Sequence, residues 1–80
     1  MFYYLYILEN NGGRHYIGIS SDIVKRLSEH NAGRVRSTKF YKPWRIIYKE
    51  KCINRIEARK REVILKTNFH VRSSIIDKLK

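Results

Sequence analysis

Cysteine is nearly absent: Cys52 is the only one in 80 residues. A lone cysteine excludes an internal disulfide and a cysteine-based zinc site, and one reduced thiol in so small a chain points to the cytoplasm. Long apolar runs are also missing. The longest, MFYYLYIL at residues 1–8, is far short of the roughly 20 residues a membrane helix needs, so no membrane partner is expected. No charged segment leads into an apolar one, which leaves no secretory leader. Acidic residues are scarce, with seven Asp and Glu against eighteen Lys and Arg. A chain of this length is expected to form one domain over residues 1–80, burying roughly 60% of its unfolded surface. The apolar fraction of 42% still suffices for a small globular fold and argues against disorder.

What the chain has in abundance is positive charge, +11 net. Such a field attracts polyanions and speeds their association. Nucleic acid is the leading partner, because each neutralised phosphate releases counterions. An anionic membrane is the alternative, but no cationic amphipathic helix of the membrane-binding kind is present. The plainest alternative is a basic, soluble surface.

Residues 2–8 are apolar on both alternating faces, with Phe2, Tyr4, Tyr6 and Leu8 on one and Tyr3, Leu5 and Ile7 on the other. Such a strand is expected to be central and covered above and below. ENNGG at 9–13 predicts a turn, and RHYIGI at 14–19 a second strand closing a hairpin. SSD at 20–22 offers caps for a helix over 22–31, which NAG at 31–33 ends. Residues 34–43 are basic and aperiodic and read as a loop carrying Arg34, Arg36 and Lys39. A third strand is predicted at 44–50, a helix at 55–68 capped by Asn54, and a last helix at 72–80 capped by Ser73 or Ser74. The order β-β-α-β-α-α describes a small α/β (α+β) domain with a three-stranded sheet flanked by helices.

On the first helix, at about 100° per residue, Ile23, Leu27 and Val24 are expected to form the buried stripe. Arg26 and His30 lie one turn apart at its margin, where polar groups border a cleft. Each has a plain alternative: a surface arginine with a buried stem, and a histidine at a helix end. Gly18 shares a strand face with Tyr16, and either admits a close approach of backbone or ligand or marks a bulge. Tyr6 and Tyr16 stand on paired strands, where a phenol can hold a phosphate oxygen or water, or simply fill the sheet. Glu62 stands among Arg59, Lys60, Arg61 and Lys66 at the edge of an apolar face. It either pairs with Lys66 one turn on or holds a divalent cation through carboxylate oxygen. Glu57 and Glu29 are weaker candidates. Two tyrosines, an arginine, a histidine and a glutamate together are the components for cutting a phosphodiester.

The pattern resembles the GIY-YIG nuclease domain. Tyr16-Ile17-Gly18 matches the second triplet, Tyr4-Leu5-Tyr6 stands at the first, Arg26 follows Gly18 by eight residues, and His30 follows one turn later. IEARKREVILK is similar to the family's glutamate-bearing helix, with Glu62 at that position. The resemblance spans essentially the whole chain and is closest to small stand-alone bacterial members, similar to the N-terminal domain of the excinuclease C subunit. It implies a three-stranded antiparallel sheet and a metal-dependent endonuclease acting on DNA, including branched, nicked or damaged DNA in repair or recombination. Mg²⁺ or Mn²⁺ would sit on Glu62. Tyr6 would be the general base, with Tyr4 as the fallback and the basic cleft lowering the phenol. Tyr16 and His30 would orient water or phosphate, and Arg26 would stabilise transition-state charge. Lys66, Arg34, Arg36 and Lys39 would bind nucleic acid; RNA remains open as a substrate. A protein partner could supply specificity, and monomer and dimer are equally compatible. The rival reading is a non-catalytic nucleic-acid-binding module on the same fold.

Overall fold

The computed structural model describes residues 1–79. Its elements run β1 (Tyr3–Asn10), β2 (His15–Ser20), α1 (Ile23–Asn31), β3 (Trp44–Cys52), α2 (Arg55–Thr67) and α3 (Phe69–Lys78). The strands form one antiparallel sheet in the order β2-β1-β3, so the doubly apolar strand is the central one, as its pattern requires. On one face Leu5 and Ile7 of β1 pack with Ile17, with Leu65 of α2 and with Ile76 of α3. On the other, Tyr6 and Leu8 pack with Trp44 and with Ile23 and Leu27 of α1.

The strand β1 runs two residues beyond the predicted end. The Asn10 side chain secures that extension: its Oδ1 accepts from the N–H of Gly12 at 3.1 Å and of Arg14 at 2.8 Å. Gly13 takes the positive φ (83°) that closes the turn. Between β1 and β3 the register shifts at Ile7/Leu8, where Ile7 faces Tyr48 and Leu8 faces Ile46.

Side chains begin each helix as the sequence suggests for the first two. Asp22 accepts from the N–H of Lys25, and Asn54 from that of Glu57. Gly33, at φ 77°, follows α1 in the left-handed conformation. The α1 stripe differs from expectation. Val24 is 74% exposed, and the residues turned to the sheet are Ile23, Arg26, Leu27 and His30, at i, i+3, i+4 and i+7. The helix is rolled toward His30, which finds partners in Tyr6 and Thr38. The last helix begins earlier than predicted. Asn68 both ends α2, by its N–H to the Ile64 carbonyl, and caps α3, by accepting from the Val71 N–H. Ser73 and Ser74 therefore lie inside α3, and the predicted terminal residue lies outside the described residues. Among the described residues no helix is long and apolar enough to cross a membrane.

Residues 34–43 form a string of turns. Asn31 fixes their far end, with Oδ1 accepting from the Trp44 N–H at 2.6 Å and Nδ2 donating to the Trp44 carbonyl at 3.0 Å. The Trp44 indole N–H donates to the Thr38 carbonyl at 3.0 Å, holding the middle of the segment against the sheet.

Candidate active site

Tyr6 lies directly across the β1–β2 ladder from Gly18. A Cβ built on Gly18 would lie 2.5 Å from the Tyr6 hydroxyl and 2.7 Å from its Cζ. The glycine therefore serves a side chain. It is neither a bulge nor an approach point for backbone, since the β1–β2 pairing runs regularly through it. The missing Cβ lets the Tyr6 ring lie over β2 with its centroid 6.3 Å from that of Tyr16.

From there the Tyr6 hydroxyl reaches His30 Nε2 at 3.0 Å, and His30 Nδ1 reaches Thr38 Oγ1 at 2.7 Å. Thr38 Oγ1 donates to the Val35 carbonyl at 3.3 Å. With the Thr38 hydroxyl proton assigned to that carbonyl, which only accepts, one His30 tautomer completes the line. The Thr38 hydroxyl proton points to Val35, His30 Nδ1–H donates to Thr38, and Nε2 accepts the Tyr6 proton. All three side chains are buried. Burial, reinforced by Tyr16, pushes the Tyr6 phenol up to about 12 against the pull of Arg26. Burial, helped by Arg26, pushes His30 down to about 4. Both groups are neutral at pH 7. The expectation that the basic cleft would lower the phenol is thus overturned, because desolvation outweighs the one guanidinium beside it.

Tyr16, Arg26 and Glu62 lie near enough to act on the Tyr6 phenol. The Tyr16 ring stacks edge-on to His30 at 4.8 Å, and Lys66 Nζ stands 5.9 Å from the Tyr16 centroid. Arg26 is half-buried and bonds Glu29 Oε1 at 3.3 Å. Burial works against its charge, but Tyr6, Glu29 and Tyr16 outweigh it and hold the guanidinium more firmly protonated. Arg26 also borders a polar groove of about 600 Å³ that continues past Ser20, Ser21, Lys25 and Arg55.

Glu62 is only 5% exposed, on the α2 side. Its Oε1 takes Arg59 Nη1 at 2.7 Å and its Oε2 takes Lys66 Nζ at 3.1 Å. The pair with Lys66 is therefore present, with Arg59 added to it. Glu57 pairs with Lys60 and Glu29 with Arg26, which leaves Glu62 as the one buried carboxylate of the three. Among the described residues no group of three His, Cys, Asp or Glu side chains could hold a metal. A lone carboxylate still fits a Mg²⁺-like ion, which keeps several waters and takes phosphate oxygens as ligands. Both side chains now on Glu62 are long and solvent-exposed, so neither blocks such an exchange.

Tyr4 pairs with Ser20 across the ladder, and of the two tyrosines Tyr6 is the one bonded to His30. Arg34, Arg36, Lys39 and Lys66 are all exposed. Sequence reasoning missed Thr38. It sits in an aperiodic basic segment, and only the turn that carries it back beneath His30 reveals its part.

A family model described as the GIY-YIG catalytic domain matches residues 2–72. A UPF0213 protein of Staphylococcus saprophyticus is 38% identical over 66 residues, covering 81% of this chain and 80% of that one. A UPF0213 protein of Desulfotalea psychrophila is 36% identical over 66 residues, covering 80% of this chain; the match spans 60% of that relative's length. The solution NMR structure of the UPF0213 protein BH0048 from Bacillus halodurans superposes with a TM-score of 0.60 at 27% identity, covering 100% of this chain and 86% of that one.

Proposed function

The chain belongs to the GIY-YIG family, and on that premise we propose that it is a metal-dependent endonuclease hydrolysing DNA phosphodiester bonds, with Tyr6, Tyr16, Arg26, His30 and Glu62 as its working residues. Membership supports nuclease-type function in general; DNA as substrate, the metal and the residue roles are parts of the proposal. The observation that carries it is the directed line from Tyr6 through His30 to Thr38.

With its own proton committed to His30 Nε2, the Tyr6 oxygen presents its lone pairs to a water in the cleft. As that water attacks phosphorus, its proton moves to Tyr6 and the Tyr6 proton moves to His30. Thr38 keeps the acceptor nitrogen turned toward the phenol. In the free protein both groups rest neutral, and it is the arriving phosphodiester anion that favours the imidazolium. Arg26 would grip phosphate oxygens with its planar fork. Tyr16 and Lys66 line a second groove, with His15 and Arg72. Glu62 would hold Mg²⁺ or Mn²⁺, which supplies charge neutralisation at the phosphate and the leaving oxygen. Arg34, Arg36 and Lys39 would guide the polyanion by charge.

The non-catalytic reading has one observation in its favour, the double ion pair that already satisfies Glu62. A cleavage assay on nicked, branched and single-stranded DNA, with Mg²⁺ or with chelator, separates the two. Cleavage that needs the metal and disappears in Glu62→Gln, with DNA binding retained, supports the enzyme. A Glu62→Gln protein that cuts as well as the parent reduces Glu62 to a salt-bridge residue.

A further inference from the structure

Two neighbouring aromatic side chains stand open to solvent on the segment between α1 and β3. Phe40 is 80% exposed, and Tyr41 is exposed beside it. Each carries a cation: the Arg14 guanidinium lies 4.1 Å from the Tyr41 centroid and Lys39 Nζ lies 4.9 Å from that of Phe40. The backbone beneath them is braced. Asn10 Nδ2 donates to the Tyr41 carbonyl at 2.9 Å, and the Tyr41 N–H donates to the Thr38 carbonyl at 3.1 Å. The backbone that carries these groups is close in sequence to the site at two points. Phe40 follows Thr38 by two residues and Arg14 precedes Tyr16 by two, and two residues of chain reach at most about 7 Å.

We propose that Phe40 and Tyr41 form a stacking platform for unpaired bases, so that the substrate class is DNA with a single-stranded stretch beside the bond to be cut. The second half of that statement rests on the nuclease reading; the platform itself does not. A duplex hides the faces of its bases, whereas an unpaired base can lay its π-face on a ring, whatever its identity. Lys39 and Arg14 supply the charge that holds the flanking phosphates. Of the other exposed phenylalanines, Phe2 stands beside Lys51, and Phe69 stands beside Arg72 with the His70 ring edge-on at 5.9 Å.

The test compares a blunt DNA hairpin with the same hairpin bearing a short overhang that contains 2-aminopurine, without divalent metal, so that binding alone is read. The parent is expected to quench the probe and to bind the overhang about ten-fold more tightly than the blunt end, the effect of one well-stacked base. Phe40→Leu and Tyr41→Leu, at exposed positions that leave folding intact, are expected to abolish the preference while blunt-end binding stays unchanged. A parent with no preference, variants that keep it, or variants that weaken both DNAs equally each overturn the platform. A protein that shows the preference here but never cuts the same DNAs once Mg²⁺ is added refutes the nuclease and leaves the platform standing. One that cuts without any preference refutes the platform alone.

Discussion

Tyr6 occupies the space that a side chain at Gly18 would fill, with an added Cβ only 2.5 Å from its hydroxyl. The two residues face each other in one ladder, so the absence of a side chain on β2 positions a buried phenol of β1.

Gly18→Ala therefore forces the ring to move, against the packing around it and the bond to His30. Overpacking of this kind costs about 1–3 kcal/mol, which lowers Tm by roughly 5–15 °C in a domain this small. A melting curve measures it. An unchanged Tm would show that the ring does not lie over Gly18.

His30 makes stability depend on pH in a definite direction. Inside, burial holds it down to about 4; unfolded, it returns to about 6.5. Between these values the unfolded chain binds a proton that the native chain refuses. Stability is thus full above about pH 6.5 and falls as the pH drops toward 4, by about 3 kcal/mol in all. Urea titrations of the parent and of His30→Gln across this range are expected to diverge, the variant having the flatter profile. Parallel profiles contradict a neutral, buried His30.

Arg26→Lys keeps the charge and can still reach Glu29, but it loses the fork. If Arg26 stabilises the transition state, the loss falls on the cleavage step, on the order of 10²-fold, with affinity little changed. Single-turnover rates at saturating DNA separate the two effects. An unaltered rate in folded protein returns Arg26 to the role of a surface cation paired with Glu29.

Much of this architecture is legible from residue patterns, and the failures have physical reasons. Apolar residues on both faces of residues 2–8 place β1 at the centre, because only a central strand buries both. Asp22 and Asn54 announce their helices, because capping is a local interaction. Asn68 escapes notice because one residue ends α2 and begins α3, leaving no gap between them. Val24 misleads because hydropathy assigns it to the core, whereas hydrogen bonding to Tyr6 and Thr38 turns His30 inward in its place. Tyr6, Tyr16, Arg26, His30 and Glu62 emerge from spacing and resemblance. Thr38 does not, since its meeting with His30 depends on a turn that has no periodicity to read. The elevated phenol escapes as well, because composition shows the cations while only the fold shows how deeply Tyr6 is buried.

The central claim is that the Tyr6 hydroxyl handles the proton of the attacking water, and Tyr4, one position back on the same strand face, provides the internal control. Single-turnover cleavage of DNA in Mg²⁺ should be measured for the parent, Tyr6→Phe and Tyr4→Phe, each shown to be folded. The account predicts that Tyr6→Phe loses on the order of 10²-fold or more in rate, with DNA affinity intact and Tyr4→Phe unchanged. Parental cleavage by Tyr6→Phe, or an equal loss in Tyr4→Phe, would contradict it.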